Sequence, residues 1–172
     1  MSENIKDFLT QISDIPEYSE LLHRRGFQVN MRLYKINKKY RKMIKDIIKY
    51  LHIAIKTNYG WFSASGMSGH NVGIPLNIIC FYKDRWNTGD DGIITMINPK
   101  IIEQSKETKV CGSGCGSIAD GKTYYNKRPL WILVKYFDIK GIEHTDRFNY
   151  TSDIICHELD HNNGIMVTDN PV

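Results

Sequence analysis

The sequence predicts an α+β domain of mostly antiparallel sheet packed around a central helix that carries His157-Glu158-Leu159-Asp160-His161. Three observations predict it. Apolar residues recur at helical spacing from about Ile36 to Ile55, short β-type runs follow between Val72 and Phe137, and a last helical segment runs from Thr151 or Ser152 to Gly164. The chain has 172 residues, 41% hydrophobic and 24% charged, with no internal repeats, low-complexity tracts or linkers, so residues 1–172 are expected to form one domain with one hydrophobic core.

Residues 1–30 are irregular, with Pro16 breaking the pattern, and read as an arm or short helix. Acids at Glu3 and Asp7 and the lack of an apolar core exclude a signal peptide there, and no apolar run approaches bilayer thickness, so a soluble, cytoplasmic protein without membrane partners is expected. In the first long helix Ile36, Tyr40, Ile44, Ile47, Leu51 and Ile55 form the core face. Lys38, Lys39, Arg41, Lys42, Lys45 and Lys49 form a basic face, read as solvated, with RNA contact as the alternative. The net charge of +4 serves solubility as well as any partner, and no specific nucleic-acid recognition is expected.

A stretch dense in small residues, Ser63 to Asn71, leads into an expected strand from Val72 to Tyr82, and its glycines permit close approach of backbone to ligand. Further strands are expected at Ile93 to Asn98, closed by Pro99, at Ile101 to Glu103, and at Trp131 to Phe137. The turn Asp138-Ile139-Lys140-Gly141 suggests a hairpin after the last of these. Thr151 or Ser152 can cap the final helix, with Asp153 favourable in its first turn.

On that helix His157 and His161 lie one turn apart and converge on one metal ion, with Glu158 beside it as a base. Catalytic sites take three protein ligands and keep a fourth position for water, so a third ligand is needed. Cys115, between glycines in Gly112-Ser113-Gly114-Cys115-Gly116-Ser117, is the candidate, because a thiolate with two imidazoles suits zinc or ferrous iron. Taken alone, Cys115 reads as a small buried residue in a tight turn. The four cysteines form neither a disulfide framework nor a CxxC site. Cys156 is expected to pack away from the metal, Cys111 to lie in a turn, and His70 in an exposed loop. Asp160 is expected to support a ligand or a helix contact.

A cysteine in a Gly-Cys-x-Ser turn followed by His-Glu-x-Asp-His resembles the peptide deformylases, which remove formyl groups from new N-termini. The resemblance spans about residues 35 to 169. The family's third motif is matched by His157 to His161 with Gly164 following, and its Glu-Gly-Cys-Leu-Ser motif by Ser113-Gly114-Cys115-Gly116-Ser117. Its Gly-x-Gly-x-Ala-Ala-x-Gln motif falls on Ala64-Ser65-Gly66-Met67-Ser68-Gly69-His70-Asn71, before Val72-Gly73-Ile74. Ile97-Asn98-Pro99, and Arg128 ahead of a strand ending in Asp138, add to it.

The resemblance implies one divalent metal on Cys115, His157 and His161, iron(II) in vivo with zinc, nickel or cobalt also accepted. It implies Glu158 as the proton-transfer residue, and the Gly116 backbone N–H with the Asn71 amide as oxyanion donors. Substrate would contact Ser65, Gly66, Gly114, Tyr150, Asp153 and Ile154. The implied partners are N-formylated peptides or nascent chains, with transient ribosome contact. Departures fall around the site. Asn71 replaces glutamine and is one methylene short, by about 1 Å, and reads either as a donor or as a turn residue. Ser113 replaces glutamate, Gly116 replaces leucine, and Asp153 makes the side-chain pocket polar. Two alternatives therefore stand beside deformylation: a related metalloamidase for another N-acyl peptide or amide, and a non-catalytic peptide- or ribosome-binding protein.

Overall fold

The computed structural model describes residues 20–57, 65–83, 92–118 and 120–172. Most of the expected N-terminal arm, residues 1–19, and residues 63 and 64 of the small-residue stretch lie outside the described residues. Residues 26–30 are held firmly: Gly26 N–H donates to the Asn162 carbonyl at 2.8 Å, and Phe27 exchanges backbone bonds with Pro75 and Asn77.

The helix expected from about Ile36 to Ile55 begins at Lys38, and a short helix that the periodicity does not announce precedes it. Helix α1 (Met31–Ile36) is capped by Asn30, whose Oδ1 accepts from Leu33 N, and α2 (Lys38–Thr57) follows after Asn37. Asn37 adopts an extended backbone (φ −103°, ψ 108°), and its Oδ1 accepts from Tyr40 N at 3.0 Å, so an asparagine cap overrides the periodic pattern. Ile36 lies beyond that break and is 70% exposed, not core. In α2 the buried residues are Ile44, Ile48, Leu51, Ala54 and Ile55. Lys38, Lys39, Lys42, Lys45 and Lys49 are exposed, with Lys42 paired to Asp46 one turn on at 2.7 Å.

The expected strand from Val72 to Tyr82 is strand only over its last five residues. A short strand β1 (Gly66–Ser68) runs into a 3-10 turn over Gly69–Val72, Gly73 takes a left-handed conformation (φ 74°), and β2 is Ile78–Tyr82. The next two expected strands are one, β3 (Ile93–Gln104), which passes through Pro99 because register shifts between Ile97 and Lys100 and again between Ile101 and Glu103 absorb it. At the first shift Asn98 has φ 54°, and its side chain bonds both backbone groups of Val29 at 2.8 Å, acting as a substitute strand neighbour.

Strands β4 (Thr108–Ser113) and β5 (Tyr124–Pro129) form a separate two-stranded sheet that the periodicity does not announce, since few of their residues are apolar or buried. Strand β6 (Ile132–Phe137) forms the expected hairpin with β7 (Glu143–Phe148). Its turn is held by Asp138 Oδ1, which accepts from Lys140 N and Ile142 N, and by Gly141 at φ 79°. The last helix is α3 (Ser152–Asn162).

The main sheet runs β1-β2-β3-β6-β7, antiparallel throughout. All five residues of β2 are buried because the strand alternates between two cores. Ile78, Cys80 and Tyr82 pack with α2, whereas Ile79 and Phe81 pack with Ile154, Ile155, Cys156 and Leu159 of α3. Helix α3 is thereby pinned against the sheet, with β1 against it at Gly66 and the loop after β4 meeting it at His161. Among the described residues no helix is long and apolar enough to cross a membrane.

Candidate metal centre

Helix α3 is anchored at both ends. Ser152 Oγ donates toward the Pro129 and Asn149 carbonyls at 3.0 and 2.9 Å. At the other end Gly164 (φ 74°) presses so closely on His23 that a Cβ would meet the His23 carbonyl oxygen at 2.4 Å. This helix presents His157 and His161 with ring centroids 5.0 Å apart and near perpendicular. Cys115 lies in the turn after β4, buried with Leu22, Met166 and Val167, and its Sγ is 3.3 Å from His161 Nε2. Ligand atoms of Cys115, His157 and His161 all lie within 4.8 Å of one another.

Burial sets the protonation of these groups. It pushes the Cys115 thiol up to about 12, against the opposing hydrogen bonds from Ser117 N–H and O–H. It lowers His157 to about 4, helped by the Arg128 charge, and takes His161 well below its ordinary value. Asp153, half-buried one turn before His157, pulls the other way through its negative charge. Two neutral imidazoles offer lone pairs, and a dication would favour the thiolate that burial disfavours. The donor set therefore fits one borderline divalent ion.

Glu158 is 4% exposed, Oε2 has no hydrogen-bond partner among the described residues, and burial followed by the Asp160 charge raises the carboxyl to about 8. Its position depends on Gly66 of β1, where a Cβ would meet Glu158 Oε1 at 2.7 Å and Ile154 Cγ2 at 2.8 Å. Gly66→Ala is expected to displace that carboxylate and lower turnover by roughly 10- to 100-fold with metal content unchanged, checked by steady-state kinetics and metal analysis.

Asn71 reaches the same place from the 3-10 turn. Its Oδ1 accepts from Ser68 N and Ser68 Oγ, at 2.7 and 2.8 Å, while Nδ2 donates to Ser117 Oγ at 2.8 Å and lies 3.3 Å from His161 Nε2. Gly116 is exposed, and a Cβ there would meet nothing within 4 Å, so space alone does not demand glycine. Gly114 is exposed beside Cys115. Ser65 accepts from Tyr82 N and continues the line of β1, whose outer edge pairs with no strand among the described residues. Ile154 is buried against the sheet. Tyr150 differs from expectation: at 92% exposed it forms no wall of a closed pocket.

Other expectations are corrected as well. His70 is fully buried rather than in an exposed loop, because residues 24–26 fold over it and the Arg24 carbonyl lies 3.0 Å from its Nε2. Cys111 sits within β4, opposite Asn126, not in a turn. Asp160 pairs with Arg128 of β5 at 2.6 Å, a largely enclosed pair that ties the back of α3 to the small sheet. Motif reading missed Ser68 and Ser117 as site residues. Their only signal was position, since each stands within the quoted motifs.

The buried histidines and Glu158 predict the pH dependence of stability in metal-free protein. His157 and His161 have folded pKa values below 6.5, so their contribution is present above 6.5 and lost as pH falls. Glu158 is raised from 4.5 to about 8, so its contribution is complete below 4.5 and lost as pH rises through 8. His157 and His161, joined by His52 and His70, which burial lowers in the same way, outweigh one carboxyl between 4.5 and 6.5, and of these groups only Glu158 still titrates well above 6.5. The melting temperature is expected to peak near pH 6.5 and decline toward pH 8, a decline that Glu158→Gln removes.

This geometry coincides with similarity to known proteins. A model of the polypeptide deformylase family matches residues 12–171. The peptide deformylase of Finegoldia magna is 42% identical over 138 residues, covering 78% of this chain and 76% of that protein. That of Brachyspira hyodysenteriae is 29% identical over 144 residues, covering 80% and 74%. Among solved structures, a peptide deformylase from Plasmodium falciparum is similar with a TM-score of 0.75 at 26% identity, covering 89% of this chain and 82% of that one. The Thermotoga maritima peptide deformylase gives 0.72 at 25%, covering 88% and 91%. The chain thus belongs to the polypeptide deformylase family, metal-dependent hydrolases that remove the formyl group from peptides.

Proposed function

We propose that this chain, acting as a single domain, deformylates N-formylmethionyl peptides or nascent chains with one divalent ion held by Cys115, His157 and His161. The observation that carries this reading is the juxtaposition of three converging ligand atoms with the buried, unpartnered carboxyl oxygen of Glu158. Iron(II) is the ion favoured, with zinc, nickel and cobalt compatible with the same donors. When bound, the ion supplies Lewis acidity and makes water acidic enough to ionise near neutral pH.

The residues of the chain do the rest. Glu158 accepts the proton of the water that attacks the formyl carbon, and delivers a proton to the amine nitrogen as the C–N bond breaks, leaving formate and a free N-terminus. Asn71 Nδ2 and the Gly116 N–H donate to the oxygen that becomes negative as the carbon turns tetrahedral. Substrate lies extended along the open edge of β1 near Ser65 and Gly66, with Gly114 opposite and Asp153 and Ile154 toward its first side chain. Tyr150 stands at the rim. The setting is cytoplasmic, with transient ribosome contact and without specific nucleic-acid or membrane recognition. The basic face of α2 is read as solvated.

The test is formate release from formyl-Met-Ala-Ser, and acetate release from acetyl-Met-Ala-Ser, by iron- and zinc-loaded protein. Formate release is expected. Acetate release without formate release would transfer the assignment to another N-acyl peptide, and neither product would overturn the enzyme reading.

A further inference from the structure

We propose that Ser68 and Gly69 are positioning residues that bring the short Asn71 side chain to the place a longer amide would occupy. The proposal rests on the reading of Asn71 as an oxyanion donor. It starts from a clustering: where the deformylase pattern has Ala-Ala-x-Gln, this chain has Ser68-Gly69-His70-Asn71, so three departures fall in one turn.

Each departure has a structural counterpart. Losing one methylene from glutamine draws the amide back by about 1 Å. Gly69 lets the turn move inward to offset that loss. A Cβ there would meet the Ile74 carbonyl oxygen at 2.4 Å and that of Leu76 at 2.8 Å, so any side chain would push the turn off the segment it rests on. The turn is closed by Ile74 N–H donating to Gly69 O at 2.9 Å and Gly73 N–H to His70 O at 3.0 Å.

Ser68 then fixes the amide's orientation. It is fully buried, and both its N–H and its O–H donate to Asn71 Oδ1. With the oxygen held by two donors, Nδ2 has one direction left, toward Ser117 Oγ and His161 Nε2. Ser117 stands two residues from Cys115, so the donors run in one sense from Ser68 through Asn71 to Ser117, beside the thiol. An alanine at 68 would leave Oδ1 with the backbone N–H as its single donor and the amide less firmly oriented. A preorganised donor acts on charge that develops only in the transition state, so its loss appears in kcat and not in KM.

The test is a double-mutant cycle on the metal-loaded protein, with Asn71→Ala alongside and metal content and melting temperature measured for each variant. Ser68→Ala is expected to lower kcat by about 5- to 10-fold with KM little changed. Asn71→Gln is expected to lower kcat when Ser68 is present, because the oxygen of a longer side chain no longer sits between the Ser68 N–H and O–H, and to lower it by a smaller factor in the Ser68→Ala background, where one of those donors is already gone. An unchanged kcat in Ser68→Ala, or the same factor for Asn71→Gln in both backgrounds, overturns the proposal. Full kcat in Asn71→Ala overturns the donor reading itself and the proposal with it. A second readout needs no turnover: the Asn71 side-chain amide protons of metal-free protein should exchange slowly, and faster in Ser68→Ala or Ser68→Gly. Equal exchange in all three would also overturn the positioning role.

Discussion

Glu158→Gln is expected to lower formate release by about 10²- to 10⁴-fold while the protein keeps its metal and its fold. The substitution preserves shape beside Gly66 and Ile154 but cannot carry a proton between water and amine. Burial raises this carboxyl to about 8 in the metal-free chain, and a dication beside it draws it back toward the range in which a base works at neutral pH. The same variant loses the melting-temperature decline between pH 6.5 and 8, which links the kinetic and thermodynamic roles of one group. Formate release within threefold of wild type, at equal metal content, would show that Glu158 does not move the proton.

The second large effect concerns Cys115. Cys115→Ser is expected to weaken metal binding by more than about 100-fold, since removing a partner that merely orients a ligand already costs 10- to 100-fold. A serine hydroxyl does not ionise to an anionic ligand at neutral pH as a metal-facing thiol does. The neutral thiol packs with Leu22, Met166 and Val167 and lies 3.3 Å from His161 Nε2, contacts that a serine hydroxyl largely replaces, so metal-free wild type and variant should melt at similar temperatures. Added metal should raise the melting temperature of wild type alone, because a ligand stabilises only the state that binds it. An equal shift in both proteins would remove Cys115 from the ligand set.

Much of this is legible in the chain. Two histidines four residues apart project from one helix face whatever surrounds them, and Gly164 follows that helix where a left-handed residue is needed, whereas the expected cap fails because Thr151 makes no side-chain cap and Ser152 donates to carbonyls instead. The hairpin at Asp138 to Gly141 is equally local, since the asparaginyl-like bonding of Asp138 and the left-handed Gly141 are properties of four residues. Strands β4 and β5 were not legible, because alternating exposure on a mostly polar pair leaves little hydrophobic signal. Pro99 and Asn37 misled in opposite senses. One reads as a strand end yet lies in a bulge, and the other sits inside a helical period yet breaks it with its own side chain.

Residue type and spacing therefore establish the chemistry available: a helix with two imidazoles and a carboxylate, a thiol between glycines, and an amide near a tight turn. Where those groups meet is another matter, because Asn71 finds Ser117 across 46 residues and His161 across 90. Contacts at such separation depend on the packing of α3 against β1 and on the close approach of Gly69 to the Ile74 and Leu76 carbonyls. No local pattern in the chain encodes that approach. The physical reason is that hydrogen-bond direction and burial belong to the packed whole, and a shift of about 1 Å in the turn decides whether Asn71 is a donor or a spacer.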